Sequence, residues 1–250
     1  MKVGDDMKFV LNKNTPIPLY YQLKQWIIEQ IERGDLKSGD VIPSERELSE
    51  EFEISRMTVR QALTELVNEG KLIRERGKGT FVAEPKISQD LFRLTSFSED
   101  MVSRGMTPGA SVVDVTVSNA TPVLQKHFNI EAADKVFIIK RLRIADDKPM
   151  ALETAHFPLS KFPGLDEQDL NNMSIYRLIE THYKVVISNA HQSIEVGMAN
   201  DHEAKLLDIR PNSPILRIER VTYDTHRQPI EYVTSVYRGD RYKLFVGLKR

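Results

Sequence analysis

Ser55-Arg56-Met57-Thr58-Val59-Arg60-Gln61-Ala62-Leu63 decides how the first third of this chain folds. Ser55 is a helix-capping residue type, because its side-chain oxygen can accept from a free amide of the first turn. Behind it Val59, Ala62, Leu63, Leu66 and Val67 fall on one side of a 3.6-residue period, and Gly70 ends the run. Arg56, Met57, Thr58, Arg60 and Gln61 then lie on or beside the exposed face. Exposed arginines alone describe an ordinary solvated helix, so the neighbouring segments decide what this face is for.

Upstream, Ser44-Glu45-Arg46-Glu47 has the spacing of a capping box and starts a helix that ends near Phe52. The turn Glu53-Ile54-Ser55 joins it to the helix just described. Earlier still, Leu23, Ile27 and Ile31 recur every four residues, with Tyr20 and Trp26 beside them. They predict a helix from about Leu19 to Arg33, preceded by Pro16 and Pro18 and stopped by Gly34. Downstream, Leu72–Arg76 and Thr80–Val82 flank Gly77-Lys78-Gly79 as two strands around a Gly-rich tip. Three helices and a β-hairpin make a winged helix-turn-helix over residues 13–82. In that motif the last helix enters the major groove by its N-terminal turn. Arginine can bond bidentately to guanine and glutamine to adenine. Thr58 can meet a phosphate or a thymine methyl, and Lys78 between two glycines can approach the backbone at the wing. The candidate DNA-binding residues are Ser44, Arg46, Ser55, Arg56, Thr58, Arg60, Gln61, Lys78, Gly79 and Thr80.

Charge narrows this reading. The 250 residues carry a net charge of −1, which argues against a non-specific polyanion binder. Residues 13–82 hold 11 Lys/Arg against 12 Asp/Glu, so the first domain is not basic either. The positive charge is concentrated from Ile54 to Val82: Arg56, Arg60, Lys71, Arg74, Arg76 and Lys78 outnumber Glu65, Glu69 and Glu75 for a net +3. There are no cysteines, which excludes disulfides, thiolate metal sites and a cysteine nucleophile, and fits a reducing compartment. The start, Met1-Lys2-Val3-Gly4-Asp5-Asp6, is charged and lacks the apolar core of a secretory signal. No apolar run approaches the roughly 18 residues that span a bilayer. A cytoplasmic protein without a membrane partner is expected.

Residues 83–93 contain a proline and mixed polar residues and read as a linker. Beyond it, in residues 94–250, short helices alternate with strands. Helices are predicted over Phe97–Arg104, Ser174–His182 and Asp201–Leu207, and strands over Ser111–Asn119 and Asn189–Val196. Val136–Ala145 and Met150–Phe157 form a hairpin around Asp146-Asp147-Lys148; Ile215–Tyr223 and Ile230–Tyr237 form another around His226-Arg227-Gln228. The fold class is α+β: a winged helix-turn-helix followed by a domain with a mainly antiparallel sheet.

Three runs carry a family resemblance: Pro43-Ser44-Glu45-Arg46-Glu47-Leu48, the stretch Ser55–Leu63, and Gly77-Lys78-Gly79-Thr80-Phe81-Val82. Together they resemble the GntR family of bacterial regulators. The rest of the chain is similar to the HutC-type effector domain, a fold shared with chorismate lyase. Leu94–Met101, Ser103–Gly109 and Ser235–Tyr242 further resemble the N-acetylglucosamine-utilisation repressors, with Ser98 where that pattern has threonine. The resemblance implies a homodimeric repressor on a near-palindromic operator. It also implies an amino-sugar phosphate effector, glucosamine-6-phosphate or N-acetylglucosamine-6-phosphate, rather than a cofactor.

The effector-binding candidates are Thr95, Ser96, Phe97, Arg141, Arg143, Glu153, Ser174, Tyr176, Glu231 and Tyr237. Arg141 and Arg143 share a strand face with Phe137 and Ile139. Two guanidiniums on an apolar face need an anion, which a phosphate supplies. Thr95 and Ser96 precede a helix, where hydroxyls and free amides can meet that anion. Ser174 and Tyr176 add hydroxyl donors. Glu153, Glu231 and Tyr237 would, by the resemblance, line the sugar end. The alternative is that the two glutamates pair internally with Arg141 and Arg143 and bind nothing. His156, His182 and His191 lack metal-ligand spacing, so no metal site is expected. An enzyme on the C-terminal fold remains the competing class. A fused DNA-binding module, which an enzyme does not need, argues against it.

Overall fold

The computed structural model describes residues 10–75, 77–171 and 173–248. Arg76, counted above in the basic segment, and the N-terminal stretch Met1–Asp6 lie outside them. The chain divides into two compact units, Met1–Lys86 and Ile87–Arg250.

The first unit holds α1 (Leu19–Arg33), β1 (Val41–Ile42), α2 (Glu45–Glu51), α3 (Arg56–Asn68), β2 (Leu72–Glu75) and β3 (Gly79–Val82). The caps form as the residue types dictate. Ser44 accepts from the Glu47 amide while the Glu47 carboxylate takes the Ser44 amide, and Ser55 accepts from the Thr58 amide. Gly34 closes α1 at φ 82°, a left-handed conformation that costs a glycine little. The predicted apolar stripes meet: Leu23 and Ile27 of α1 pack with Leu48 of α2 and with Val59, Ala62, Leu63 and Leu66 of α3. Leu72 and Val82 seat the hairpin on that core. Lys24 adds a partly buried ion pair to Glu65 at 3.0 Å, joining α1 to α3. One strand was not foreseen. β1 is two residues long, too short for an alternation signal, and pairs Val41 with Phe81 to make a three-stranded sheet, β1-β3-β2.

The second unit is built on a six-stranded antiparallel sheet in the order β5-β6-β7-β10-β9-β8. The strands are β5 (Pro108–Asn119), β6 (Lys135–Ala145), β7 (Lys148–Pro158), β8 (Ile187–Met198), β9 (Pro214–Asp224) and β10 (Pro229–Arg238). The expected β6–β7 hairpin turns at Asp146 and Asp147, with φ of 46° and 61°. Aspartate tolerates this conformation better than most side chains do. Four short helices accompany the sheet: α4 (Phe97–Ser103), α5 (Pro122–Phe128), α6 (Ile175–Thr181) and α7 (Asp201–Leu207). Helix α5 escaped the sequence reading because seven residues are too few to display a period, although Thr121 caps it.

The linker read over residues 83–93 needs correction. Ile87–Asp90 is a strand, β4, paired in parallel with β11 (Tyr242–Phe245), and it belongs to the second unit. Strands of four residues carry little alternation, and a parallel partner some 150 residues away leaves no local trace.

Two apolar clusters of this unit bracket its polar interior. Phe137, Ile139, Phe157, Ile175 and Val233 belong to one. Ile87, Phe97, Met101, Ala145, Met150 and Tyr242 form the other. On β6 the inward positions run Phe137, Ile139, Arg141, Arg143, Ala145, so the two arginines fall between the clusters.

Candidate DNA-reading face and effector cavity

The exposed side of α3 carries the cations that the sequence placed there. Val59, Ala62 and Leu63 are buried, whereas Arg56, Arg60 and Gln61 are exposed and Met57 is 66% exposed. The ten candidates are not equally free. The Ser44 hydroxyl accepts from the Glu47 amide at 3.2 Å. The Ser55 oxygen takes the Thr58 amide at 3.1 Å and stands 2.8 Å from the Thr58 hydroxyl. Both serines therefore shape helix starts first. Arg46 stands 3.8 Å from Glu50, and Lys78 3.0 Å from Glu75, both exposed pairs that a polyanion can displace.

Arg60 is held more firmly than the sequence indicated. Its Nε and Nη2 donate to the Glu45 carboxylate at 3.0 and 2.8 Å, and Arg74 of β2 reaches the other oxygen at 3.5 Å. Hydrogen bonding from Arg60 keeps the Glu45 carboxyl below the usual carboxylate range. Glu45 thus ties α2, α3 and the wing together. Position i+1 of a capping box signals nothing about such a role. At the wing, Gly77 and Gly79 adopt φ of 78° and 131°, and a Cβ at Gly77 would meet nothing within 4 Å among the described residues beyond its chain neighbours. The backbone at Gly77 is open to close approach, and Thr80 is half-buried beside it.

In the second unit all ten effector-binding candidates line one cavity: Thr95, Ser96, Phe97, Arg141, Arg143, Glu153, Ser174, Tyr176, Glu231 and Tyr237. Sheet register explains the convergence. Arg141 lies directly across from Glu153 on β7, and Glu231, Val233, Ser235 and Tyr237 alternate along β10 toward the same side. Arg220 of β9 joins them. It sits two residues from Ile218, so a strand period could have found it. Gln89 and Tyr242, from β4 and β11, complete one wall.

Charge inside the cavity is unevenly compensated. Arg141 and Arg143 are 4% and 3% exposed. Arg141 donates to Glu153 at 2.6 Å and to the Met173 carbonyl at 3.0 Å. Arg143 lies 3.9 Å from Glu153, donates to the Ser98 hydroxyl at 3.0 Å, and stacks over Phe97 at 4.6 Å. Burial works against the Arg143 charge and Glu153 offsets part of that; a guanidinium stays protonated regardless. Burial also pushes the Glu153 carboxyl up, but the two arginines outweigh it and hold the group ionised. Glu231 goes the other way. Its burial and the nearby Glu153 charge raise it, against donation from Thr222 and Tyr176 at 2.8 Å each. Burial pushes the Tyr237 phenol up to about 12, so it remains a donor.

The internal pairing weighed above is therefore half present: Glu153 pairs with the arginines, whereas Glu231 pairs with hydroxyls. Ser96 also differs from the expectation. Its amide and hydroxyl both donate to Glu99, at 2.8 and 2.9 Å, so neither is free. Ser174 accepts weakly from the Arg177 amide at 3.4 Å and keeps its own proton to donate.

Comparison with known proteins fits both units. The model of bacterial regulatory proteins of the gntR family matches residues 19–82, and that of the UTRA domain matches residues 103–243. The chain belongs to the GntR family. It is 45% identical over 232 residues to the HTH-type transcriptional repressor NagR of Bacillus subtilis (strain 168), covering 93% of this chain and 95% of that one. It is 39% identical over 233 residues to the mannosyl-D-glycerate transport/metabolism system repressor MngR of Escherichia coli (strain K12), covering 93% and 97%. The crystal structure of PhnF from Mycobacterium smegmatis superposes with a TM-score of 0.65 at 31% identity, over 92% of this chain and 98% of that one. This GntR protein is a transcription regulator, not an enzyme. Its first unit binds DNA and its second binds a small-molecule effector. No helix of the described residues is long and apolar enough to cross a membrane.

Proposed function

We propose that this GntR regulator represses amino-sugar utilisation genes in the cytoplasm and leaves its operator when glucosamine-6-phosphate or N-acetylglucosamine-6-phosphate binds. The charge balance of the cavity carries the reading. Two buried guanidiniums and the Arg220 guanidinium face Glu153, held ionised, Glu231, pushed toward neutrality, and Asp100, whose charge is paired to Arg104 at 2.8 Å. Such a surplus favours a multiply charged oxyanion, which forms charge-assisted and partly bidentate bonds with arginine. Hydroxyls on Ser174 and Tyr237, with the Glu153 carboxylate and the Glu231 carboxyl group as acceptors, suit a polyhydroxylated body. The likeness to NagR supports the amino sugar.

The protein acts as a homodimer on a near-palindromic operator, so that half-site spacing is set by two α3 helices. The effector shifts the dimer toward an arrangement that no longer fits the operator. A coupling of about 1–3 kcal/mol, worth about 5- to 150-fold in operator affinity, is enough. A thermal-shift screen of phosphorylated sugars, followed by anisotropy titration of operator DNA, tests the reading. Amino-sugar phosphates should raise the melting temperature most and release the DNA. The likeness to MngR makes mannosyl-D-glycerate, a carboxylate, the informative competitor. Stabilisation by that compound alone would replace the amino-sugar assignment with another metabolite. Light scattering that gave a monomer on DNA would remove the dimer.

A further inference from the structure

Four polar side-chain atoms of the cavity lining have no hydrogen-bond partner among the described residues. One is Arg141 Nε; the other three are Arg143 Nε, the Tyr242 hydroxyl and Gln89 Oε1. Arg143 and Tyr242 are 3% and 4% exposed, so bulk water does not satisfy them. An unsatisfied buried polar group costs about 1–3 kcal/mol, more when charged, and native interiors hold few. Arg143 is the most telling of the three. One Nη donates to Ser98 and the other stands 3.9 Å from Glu153, which is itself engaged by Arg141, so Nε is left over. The Tyr242 ring is fixed edge-on against Tyr237 at 4.8 Å, and burial pushes its phenol up, so it stays protonated as a donor. A glutamine amide can turn over and offer either its oxygen or its N–H groups.

Their position gives the wall a second meaning. Gln89 lies on β4 and Tyr242 on β11, the parallel pair of four residues each. Its ends are closed by the Ile87 amide on the Arg241 carbonyl at 2.7 Å and the Leu91 amide on the Phe245 carbonyl at 3.1 Å. A two-stranded pair of this length is marginal by itself. β4 is also the first element after residue 86, where the first unit ends. A group bonded to both strands at once would hold β4 in place.

We propose that Gln89 and Tyr242 contact the oxyanion end of the effector together with Arg143, and that occupancy thereby clamps β4 onto β11. The inference rests on the phosphorylated-ligand reading above and adds two contacts and a route out of the cavity.

The test uses full-length protein with Tyr242→Phe and Gln89→Leu, each nearly isosteric. Because the Tyr242 hydroxyl has no partner in its own unit, its loss should leave the ligand-free protein at least as stable. Calorimetry is run with inorganic phosphate, N-acetylglucosamine-6-phosphate, a non-amino hexose phosphate and unphosphorylated N-acetylglucosamine. Hydrogen exchange of the 87–91 amides is followed with and without each. The expected result is at least about tenfold weaker binding of the phosphorylated probes by Tyr242→Phe, a smaller loss for Gln89→Leu, and no change for the unphosphorylated sugar. Protection of 87–91 should rise with phosphorylated probes in wild type and not in the double variant. Equal affinities in wild type and both variants overturn the contacts while leaving the phosphosugar reading standing. Unchanged protection at 87–91 overturns the clamp. Wild type that binds phosphate and every hexose phosphate alike, with the variants weakened, supports this inference and sinks the amino-sugar reading. Wild type that binds no phosphorylated probe overturns both.

Discussion

Arg56 and Arg60 stand on an exposed helix face, whereas Arg141 and Arg143 are 4% and 3% exposed inside a sheet, and we propose a ligand for each pair, DNA for the first and a phosphorylated effector for the second. The helix can leave Arg56 in water because DNA would bring the countercharge; Arg60 has a partner in the fold, Glu45, but the pair is at the surface. The cavity cannot. Desolvated guanidiniums need a permanent partner, and Glu153 supplies it. One surface therefore separates recognition from stability, and the other merges them. Substitutions in the two places should part accordingly.

The largest effect should come from Arg141→Ala. It leaves the Glu153 carboxylate buried with only Arg143 at 3.9 Å. Removing one member of a buried pair typically costs about 3–5 kcal/mol, and the surviving arginine argues for the lower part of that range. Denaturant unfolding should show this loss, while operator affinity, measured where the protein stays folded, holds. A variant as stable as wild type would show that the cavity arginines carry no structural duty, and the contrast would fail.

Arg56→Ala should do the reverse. Loss of a bidentate base contact is worth about 5- to 150-fold in affinity for the right sequence. Anisotropy should record that loss on operator DNA, with unfolding and sugar-phosphate binding unchanged. Arg60→Ala should weaken operator binding too. Here Glu45→Gln sharpens the comparison, because Glu45 grips Arg60 at 2.8 Å. Releasing that grip should raise affinity for random DNA and lower the ratio of specific to non-specific binding. An unchanged ratio would mean that Glu45 does not position Arg60.

The same contrast decides what could be read from the sequence. The α3 face was legible because helix period, cap and wing are local signals within some thirty residues. The arginine pair on β6 was legible because strand alternation puts i and i+2 on one side, whereas Glu153, Glu231 and Tyr237 were joined to it by the family resemblance. Arg220 follows the same rule and was missed only because its strand was read for its hairpin. Gln89 and Tyr242 had no such signal. Their strands are four residues long, and their pairing spans about 150 residues, so neither alternation nor turn chemistry marks them. The role of Glu45 was hidden for another reason: capping-box spacing accounts for Ser44 and Glu47 and leaves the residue between them free to vary.

A pH experiment separates the two cavity glutamates, which lie on neighbouring strands. Glu231 is raised in the folded protein by burial and by the Glu153 charge. Its contribution is therefore fully present below the unfolded carboxyl value of about 4.3 and is lost as pH climbs toward the folded value. Glu153 has the opposite sign, so its stabilisation is lost in acid. Glu231→Gln keeps an acceptor for Tyr176 and Thr222 but cannot ionise. Relative to wild type it should gain stability as pH rises above about 4.3, at up to about 1.4 kcal/mol per pH unit until the wild-type group ionises. Urea midpoints at pH 4, 5, 6 and 7 without ligand test this. A flat difference would return Glu231 to the ionised set and weaken the case for an anionic effector.

The smallest effect belongs to the wing. Lys78 is exposed and, among the described residues, its ion pair is with Glu75 of its own turn, so the fold gains little from it. If it contacts a phosphate, Lys78→Ala should weaken operator and random DNA nearly equally and reduce the slope of log affinity against log salt by about one. Stability should not move. A loss confined to operator DNA would make Lys78 a base reader, and the wing would then share in specificity with α3. An unchanged slope would leave the wing to the backbone at Gly77, where a Cβ would meet nothing within 4 Å among the described residues beyond its chain neighbours.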